Sequence, residues 1–226
     1  MNIVFPPLYA IIDADLVKTS ELSFAEMMAE SGVEILQYRS KHATSRQLFE
    51  VCSALARRFP PAVGKSPRAL RFIVNDRPDI AALVGAGGVH VGQDDLGVEQ
   101  ARALVGPQSW VGVSTHNLEQ VAAADLTSAD YVAFGPIFPT ATKEKHDPVV
   151  GLDLLAQARR RTRKPLVAIG GITLERAEDV YRAGADSLAV TRDLIAAPDP
   201  AARARAFLQV AASVRQTRRG GANSHE

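Results

Sequence analysis

The sequence predicts a (β/α)8 barrel, and two observations support this fold class. Short apolar runs rich in β-branched residues alternate strictly with helical patterns, and eight such units fill about 215 residues. The apolar runs are mostly continuous, as expected of parallel strands that are buried on both faces. A doubly wound open sheet is the alternative. In dinucleotide-binding sheets a GxGxxG motif follows the first strand, and this chain has no such motif there.

The predicted elements alternate along nearly the whole chain. The predicted strands are Leu8–Asp13, Glu34–Arg39, Leu70–Asn75, Gly88–Gly92, Trp110–Ser114, Tyr131–Gly135, Pro165–Gly170 and Ser187–Thr191. The predicted helices have the sequences SFAEMMAES, SRQLFEVCSALARRF, RPDIAALVGAG, VEQARALVG, NLEQVAAAD, LDLLAQARRRT, LERAEDVYRAG and PAARARAFLQVAASVRQ. No composition shift marks a boundary, so we expect one barrel domain over residues 1–216. The polar, Gly-rich residues 217–226 are predicted to be a disordered tail.

The bulk composition excludes several classes of protein. Of the 226 residues, 46% are hydrophobic and 23% charged, which is ordinary for a globular domain. A net charge of +1 argues against nucleic-acid binding driven by electrostatics. No apolar run is long enough for a transmembrane helix, and the first residues lack the features of a secretory signal, so we expect a soluble, cytoplasmic protein without a membrane partner. Cys52 is the only cysteine and lies in an amphipathic helical run, which favours a buried structural thiol.

Two acidic residues follow neighbouring predicted strands. Asp76 ends the run LRFIVND, and Asp95 follows VHVG. If these strands are adjacent and parallel, the two carboxylates converge at one edge of the sheet. Paired carboxylates on such loops are typical ligands of Mg²⁺ that is shared with substrate phosphates. The alternative for either aspartate is a cap of the following helix.

The second predicted strand ends in alternating polar residues. Gln37, Arg39 and Lys41 fall on the same side of the strand and its extension because the side-chain period of a strand is two residues. An arginine and a lysine at a barrel mouth are costly to bury without an anion, which indicates a phosphate or diphosphate ligand. Ion pairs with nearby acids are the alternative.

Further polar residues follow the later strands. Asn75 ends the third, and Ser114 and His116 follow the fifth, where His116 has surface, core and helix-cap interpretations as well as a catalytic one. The segment from Gly135 to Pro148 contains Thr140, Thr142, Lys143 and Lys145, and its length indicates a phosphate-binding loop or lid rather than a simple connection. Gly170 and Gly171 after the seventh strand suit a phosphate that binds to free main-chain N–H groups.

Six ordered motifs carry a resemblance to a known family. The motifs are QYRSK, VNDRPDIA, GVHVGQDDL, GVSTHN, DYVAFGPIFPTATK and VAIGGI. In this order and spacing, from about Leu8 to Ile195, they resemble thiamine phosphate synthase. That family joins a hydroxymethylpyrimidine diphosphate to a thiazole phosphate, which implies a transferase whose partners are small phosphorylated molecules. The oligomeric state stays open, a homo-oligomer included.

The resemblance also implies roles for individual residues. Asp76 and Asp95 would hold Mg²⁺. The residues implied for the pyrimidine diphosphate are Gln37, Tyr38, Arg39, Ser40, Lys41, Asn75, Ser114 and Lys143, and those for the thiazole phosphate are Thr140, Ala141, Thr142, Gly171, Thr191 and Arg192. Arg39, Lys41, Lys143 and Ser114 would act in catalysis, in which the diphosphate leaves before the thiazole nitrogen attacks.

One residue departs from the family pattern. Arg192 stands where the family usually has a serine, and it could either pair with the thiazole phosphate or turn outward. The alternatives to the synthase are a thiazole tautomerase, a silent thiamine-phosphate-binding barrel, and a sugar-phosphate isomerase or aldolase. Pro136 and the complete acidic pair favour the synthase over the tautomerase branch, which resembles this chain but carries a histidine at the position of Pro136.

Overall fold

The structure is a closed barrel, as the sequence predicts. This computed structural model describes residues 5–61, 70–140 and 148–222, with side chains as far as residue 217. The strands are β1 (Leu8–Asp13), β2 (Ile35–Arg39), β3 (Arg71–Asn75), β4 (Gly88–Val91), β5 (Trp110–Thr115), β6 (Tyr131–Phe134), β7 (Leu166–Ala168) and β8 (Ser187–Val190). Each strand is parallel to the next, and β8 pairs with β1 to close the barrel. The predicted (β/α)8 architecture is confirmed.

Helices follow the strands around the outside of the barrel. They are α1 (Glu21–Glu30), α2 (Ser45–Arg58), α3 (Pro78–Val84), α4 (Val98–Val105), α5 (Leu118–Asp125), α6 (Gly151–Arg161), α7 (Leu174–Arg182), α8 (Arg192–Ile195) and α9 (Pro200–Ala222). The short helix α8 was not expected from the sequence. Helix α9 continues to Ala222 and so enters the segment for which we predicted disorder from residue 217. None of the helices in the described parts of the chain is long and apolar enough to cross a membrane.

Local sequence signals explain where the helices begin. Thr44 caps α2 through a capping box, in which its hydroxyl accepts from the Gln47 N–H and the Gln47 side chain accepts from the Thr44 N–H. Ser20 and Asn117 are the N-cap residues of α1 and α5, and their side chains accept from the main-chain N–H three residues later. Cys52 is fully buried on the inner face of α2, and burial raises the pKa of its thiol to about 12. The thiol is therefore a core group, as predicted.

Two apolar layers hold the barrel together. The outer layer lies between the strands and the helices, and the inner layer fills the end of the barrel where the strands begin. In that inner layer the ring of Phe5 stacks on Trp110 at 5.2 Å and packs against Tyr131 at 4.9 Å between centroids. Gly112 leaves room for the Tyr131 ring, which a Cβ at this position would overlap. Because aromatic rings close this end, the open space of the barrel lies at the other end.

Candidate active site

A cavity of about 890 Å³ opens where the strands of the barrel end. Catalytic groups in this fold lie on the loops at that end. The cavity is lined by predicted site residues from six of the strand ends, namely Gln37, Arg39, Asn75, Ser114, Thr140, Gly171, Thr191 and Arg192. The tertiary structure thus brings together side chains that are as much as 155 positions apart in the sequence (192 minus 37).

The rest of the QYRSK segment lies away from this cavity. Tyr38 alternates with Gln37 and Arg39 and packs into the outer core, where burial raises the pKa of its phenol to about 12. This position is that of a core residue outside the cavity lining, and the substrate contact expected of Tyr38 stays a prediction. Ser40 accepts a hydrogen bond from the Ala43 N–H in the turn after β2, and the Lys41 side chain is exposed outside the cavity lining.

Part of the predicted phosphate-binding loop cannot be placed. Ala141, Thr142 and Lys143 lie outside the described residues, as does Lys145. Thr140, the last described residue before them, lines the cavity. The proposed roles of the other residues in this loop therefore stay predictions.

Asp76 and Asp95 lie side by side just beyond the ends of β3 and β4, and Asp76 directly follows Asn75 of the cavity lining. Burial and the negative charge of Asp95 raise the pKa of Asp76 to about 7, and Arg39 and Asn75 oppose this rise. Asp76 has a left-handed backbone (φ 61°), with its N–H donating to the His90 carbonyl at 2.7 Å. Neither aspartate caps a helix, since the caps of α3 and α4 are Arg77 and Gly97. The structure thus disfavours the helix-cap alternative for both.

This acidic pair fits a hard divalent cation that is shared with a substrate. Two adjacent carboxylates repel each other, and a cation between them removes that repulsion. Within residues 5–61, 70–140 and 148–222, no group of three or more His, Cys, Asp or Glu side chains could hold a metal ion. Two protein carboxylates with the remaining ligands from phosphates and water are the usual coordination of Mg²⁺ at phosphate-processing sites.

Arg39 is held in place by an acid that the sequence analysis did not single out. Its guanidinium donates to Asp13 Oδ2 at 2.6 Å, and the Asp13 side chain is only 4% exposed. The ion-pair alternative is therefore realised for Arg39, although the same side chain lines the cavity. Asp13 could have been predicted as a site residue from its position, because it is the last residue of β1 and polar residues at strand ends form the site in this fold.

Three further side chains that sequence reasoning missed lie inside the barrel. Tyr9, His90 and Tyr131 are buried and joined by hydrogen bonds, with His90 Nδ1 3.1 Å from the Tyr131 hydroxyl. The other ring nitrogen of His90 lies 2.9 Å from Ser114 Oγ. The period-two alternation of a strand could have identified them, because it places His90 on the inner face of β4, as it places Ser114 on the inner face of β5. His116, by contrast, lines the cavity with its Nδ1 2.6 Å from the Gly135 carbonyl.

Glycine and arginine residues form the opposite edge of the cavity. Gly170 and Gly171 have left-handed backbones (φ 88° and 65°), and a Cβ on Gly171 would collide with the chain at Phe138. Only glycine suits this close approach, which leaves main-chain groups open to a ligand. Arg192 is exposed and lines the cavity, and it forms no ion pair with any acid in the described part of the chain.

Two neighbouring arginines are already engaged. Arg203 contacts Glu175 at 3.1 Å and Asp193 at 3.5 Å. Arg176 donates to the Gly171 carbonyl at 3.0 Å and lies over the Phe138 ring at 4.5 Å. Arg176 is thus held by a carbonyl and a ring, whereas Arg192 has neither of these contacts nor an acidic partner in the described part of the chain, which favours the first of its two alternatives, contact with an anion.

A (β/α)8 barrel with polar side chains around a cavity at its strand ends is the architecture of an enzyme that acts on small molecules. Arg39 and Asn75 lie at one edge of this cavity, and glycines with Arg192 lie at the other. The sequence model of thiamine monophosphate synthase matches residues 8–194, and the chain belongs to that family. It is a transferase of thiamine biosynthesis.

Similar proteins agree with this assignment. The chain is 48% identical over 210 residues to the thiamine-phosphate synthase of Koribacter versatilis, covering 91% of this chain and 95% of that protein. It is 44% identical over 199 residues to the thiamine-phosphate synthase of Chloroflexus aurantiacus, covering 88% and 89%. The solved structure of thiamine phosphate pyrophosphorylase from Pyrococcus furiosus superposes with a TM-score of 0.79 at 30% identity, covering 92% and 96%.

Proposed function

We propose that this protein makes thiamine phosphate from a hydroxymethylpyrimidine diphosphate and a thiazole phosphate, with Mg²⁺ at Asp76 and Asp95. One observation carries the proposal: a single cavity is lined by Arg39 and by Asn75, which directly precedes the acidic pair, and at a separate edge by glycines and Arg192. The first group suits a diphosphate with its metal, and the second suits a monophosphate. A volume of about 890 Å³ lies within the range of small-molecule sites.

The first subsite takes the diphosphate. Arg39, which Asp13 orients, offers its guanidinium to the phosphate oxygens, and Asn75 and Ser114 add neutral hydrogen-bonding groups. Bound Mg²⁺ would withdraw negative charge from the diphosphate as it leaves. Lys143 and Lys41 are proposed to add positive charge, Lys41 from its exposed position beyond β2.

The second subsite takes the thiazole phosphate. We assign its phosphate to Gly171, Thr191, Arg192 and Thr140, with Ala141 and Thr142 following in the same loop. This places the thiazole ring toward the centre of the barrel, facing the pyrimidine. The small side chains of Ala133 and Ala189 line the cavity and leave space there.

The proposed reaction is dissociative. The bond between the pyrimidine methylene carbon and the diphosphate oxygen breaks, and its electron pair leaves with the diphosphate. The aminopyrimidine ring stabilises the resulting cation, and the lone pair of the thiazole nitrogen then forms the new C–N bond. No protein nucleophile is required, so the enzyme contributes positioning and electrostatic stabilisation.

An assay with a metal control tests this proposal. The protein is mixed with both substrates and Mg²⁺, and thiamine phosphate is oxidised to fluorescent thiochrome for detection. Product that disappears with EDTA and returns with excess Mg²⁺ would support the synthase and its metal together. Product that persists in EDTA would contradict the metal, and absence of product, with thiazole carboxylate phosphate isomerised instead, would indicate the tautomerase.

A further inference from the structure

A chain of hydrogen bonds crosses the barrel interior and ends at Ser114. Gln37 Nε2 donates to the Tyr9 hydroxyl at 3.3 Å, and the hydroxyl oxygens of Tyr9 and Tyr131 are 2.9 Å apart. Tyr131 is in turn 3.1 Å from His90 Nδ1, and His90 Nε2 is 2.9 Å from Ser114 Oγ. All five side chains are buried. Gln37 and Ser114, for which substrate roles were predicted, are thus connected through Tyr9, Tyr131 and His90, for which no role was predicted.

The donor at one end is compatible with one consistent direction for all of these bonds. The amide nitrogen of Gln37 can only donate, so the Tyr9 hydroxyl accepts there and directs its single hydrogen to Tyr131. Tyr131 then directs its own hydrogen to His90 Nδ1. In a neutral imidazole one nitrogen accepts and the other donates, so His90 Nε2 carries the hydrogen and donates it to Ser114.

We propose that Tyr131 is a positioning residue that holds His90 in the Nε2-protonated tautomer, and so leaves the Ser114 hydroxyl hydrogen to donate into the cavity. A His90 Nε2 that carries a hydrogen cannot accept one from Ser114. The hydroxyl hydrogen of Ser114 is therefore left to donate to an acceptor in the cavity. The part of this inference that concerns catalysis rests on the proposed function, in which that acceptor is the leaving diphosphate.

The surroundings of Tyr131 suit a residue that affects the site only by positioning His90. Tyr9, Gln37, His90 and Ser114 line the cavity, whereas Tyr131 lies behind them. Its ring stacks on the His90 imidazole, with centroids 5.5 Å apart and planes at 26°, and it occupies the space that Gly112 leaves. Burial raises the pKa of both Tyr9 and Tyr131 above their ordinary range, so both phenols keep their hydrogens as donors at neutral pH.

Such a donor acts on the chemical step more than on binding. Negative charge builds up on the diphosphate oxygen as the C–O bond breaks, and a fixed donor stabilises that charge most strongly in the transition state. If the tautomer of His90 were reversed, Ser114 would direct its hydrogen back to Nε2 and present only lone pairs to the diphosphate. Loss of the chain should therefore lower kcat and leave KM for the pyrimidine diphosphate nearly unchanged.

The tautomer can be measured in the free protein, independently of activity. ¹⁵N NMR of histidine-labelled protein distinguishes protonated from unprotonated ring nitrogens, and the variant His90→Gln identifies the signals of His90. We expect Nε2–H in the wild-type protein. Gln37→Glu replaces the donor by a carboxylate that only accepts, so the whole chain should reverse and give Nδ1–H. In the double variant Gln37→Glu/Tyr131→Phe that reversal should be lost, because the connection to His90 is cut.

Kinetics with a matched control tests the role of Tyr131. Tyr131→Phe should lower kcat about tenfold, the size expected for one hydrogen bond, with KM changed less than about twofold. Tyr181→Phe removes another buried phenol, one that donates to the Pro7 carbonyl at 2.8 Å outside this chain, and should keep the wild-type kcat.

Each result decides the inference. A wild-type Nδ1–H or doubly protonated ring, or a Gln37→Glu variant that keeps Nε2–H, would overturn the proposed direction of the chain. Equal kcat in Tyr131→Phe and Tyr181→Phe would overturn the positioning role. If the wild-type protein made no thiamine phosphate, the proposed function would fail, yet the NMR result would still show whether Tyr131 controls the His90 tautomer.

Discussion

The individual charged residues at the cavity mouth are arranged for a ligand rather than for stability. Asp76 lies beside a second carboxylate, and Arg192 has no acidic partner among the described residues, so both charges are poorly compensated in the protein alone. Asp13 and Arg39 show the opposite case, a close ion pair that orients a cation toward the cavity. Like charges held together and perturbed pKa values are typical of functional sites.

The role of Asp76 can be tested by removing its charge alone. Asparagine is preferable to alanine here, because asparagine tolerates the left-handed backbone of this position. Asp76→Asn should lower kcat/KM by about 100-fold or more, through lost stabilisation of the leaving charge, with the thermal unfolding midpoint little changed. Steady-state kinetics at several Mg²⁺ concentrations is the measurement.

Asp94→Asn is the matched control for this variant. Asp94 is exposed and adjacent in sequence to Asp95, but only Asp95 is among the groups that shift the pKa of Asp76. Its replacement should leave kcat/KM within about twofold of wild type, as for an ordinary surface position. Equal losses in both variants, or full activity of Asp76→Asn, would count against the metal assignment.

A partly buried carboxylate away from the site connects a helix to a neighbouring turn. At the end of α5, Asp125 Oδ1 accepts from the Thr162 hydroxyl at 2.5 Å and from the Arg163 N–H at 3.0 Å. These bonds join α5 to the turn that leads from α6 into β7. Burial alone would raise the pKa of Asp125, but the hydrogen bonds outweigh it and lower the pKa below its ordinary value of 3.8.

This lowered pKa predicts how stability changes with pH. A carboxyl whose pKa is lower in the folded than in the unfolded protein stabilises the fold above the unfolded pKa, and this stabilisation is lost as pH falls through the folded pKa. Asp125→Ala should therefore reduce the free energy of unfolding by about 1 kcal/mol at pH 7. The difference from wild type should shrink below about pH 4, as measured by urea unfolding. Glu119→Ala, at an exposed acid on the same helix, is the control, and it should change the free energy of unfolding at pH 7 by less than Asp125→Ala.

At the scale of the whole molecule, different strands of the barrel carry the residues proposed for the diphosphate and those proposed for the thiazole phosphate. The acidic pair follows β3 and β4, while the glycines follow β7 and Arg192 begins α8 after β8. Aromatic residues close the opposite end, so the cavity opens where the strands end. The two subsites are fixed by different strands and should respond to mutation separately.

This separation is tested by Arg192→Ser, which restores the residue usual in the family. We expect KM for the thiazole phosphate to rise about tenfold, the loss of one charged hydrogen bond, with KM for the pyrimidine diphosphate unchanged. Two-substrate kinetics measures both constants. Arg205→Ser, at an exposed arginine of α9 outside the cavity, is the control. A large rise in KM for the pyrimidine diphosphate would contradict two independent subsites.

The sequence alone determined the repeating architecture and the edge of the barrel that carries the site. Strand alternation and strand-end polar residues are local patterns, so the strands were predicted to within two residues and Asp76, Asp95 and Arg39 were singled out. Helix α8 was missed because its four residues are too short to show a helical period.

Only the tertiary structure decided which polar side chains meet. Tyr38 was grouped with its sequence neighbours, yet strand alternation and helix packing place it in the outer core. Tyr9, His90 and Tyr131 looked like ordinary strand residues, and closure of the barrel brings three separate strands together to join them in one chain. Periodicity reports which face a side chain occupies, whereas the partner across the barrel depends on the register and closure of strands distant in sequence.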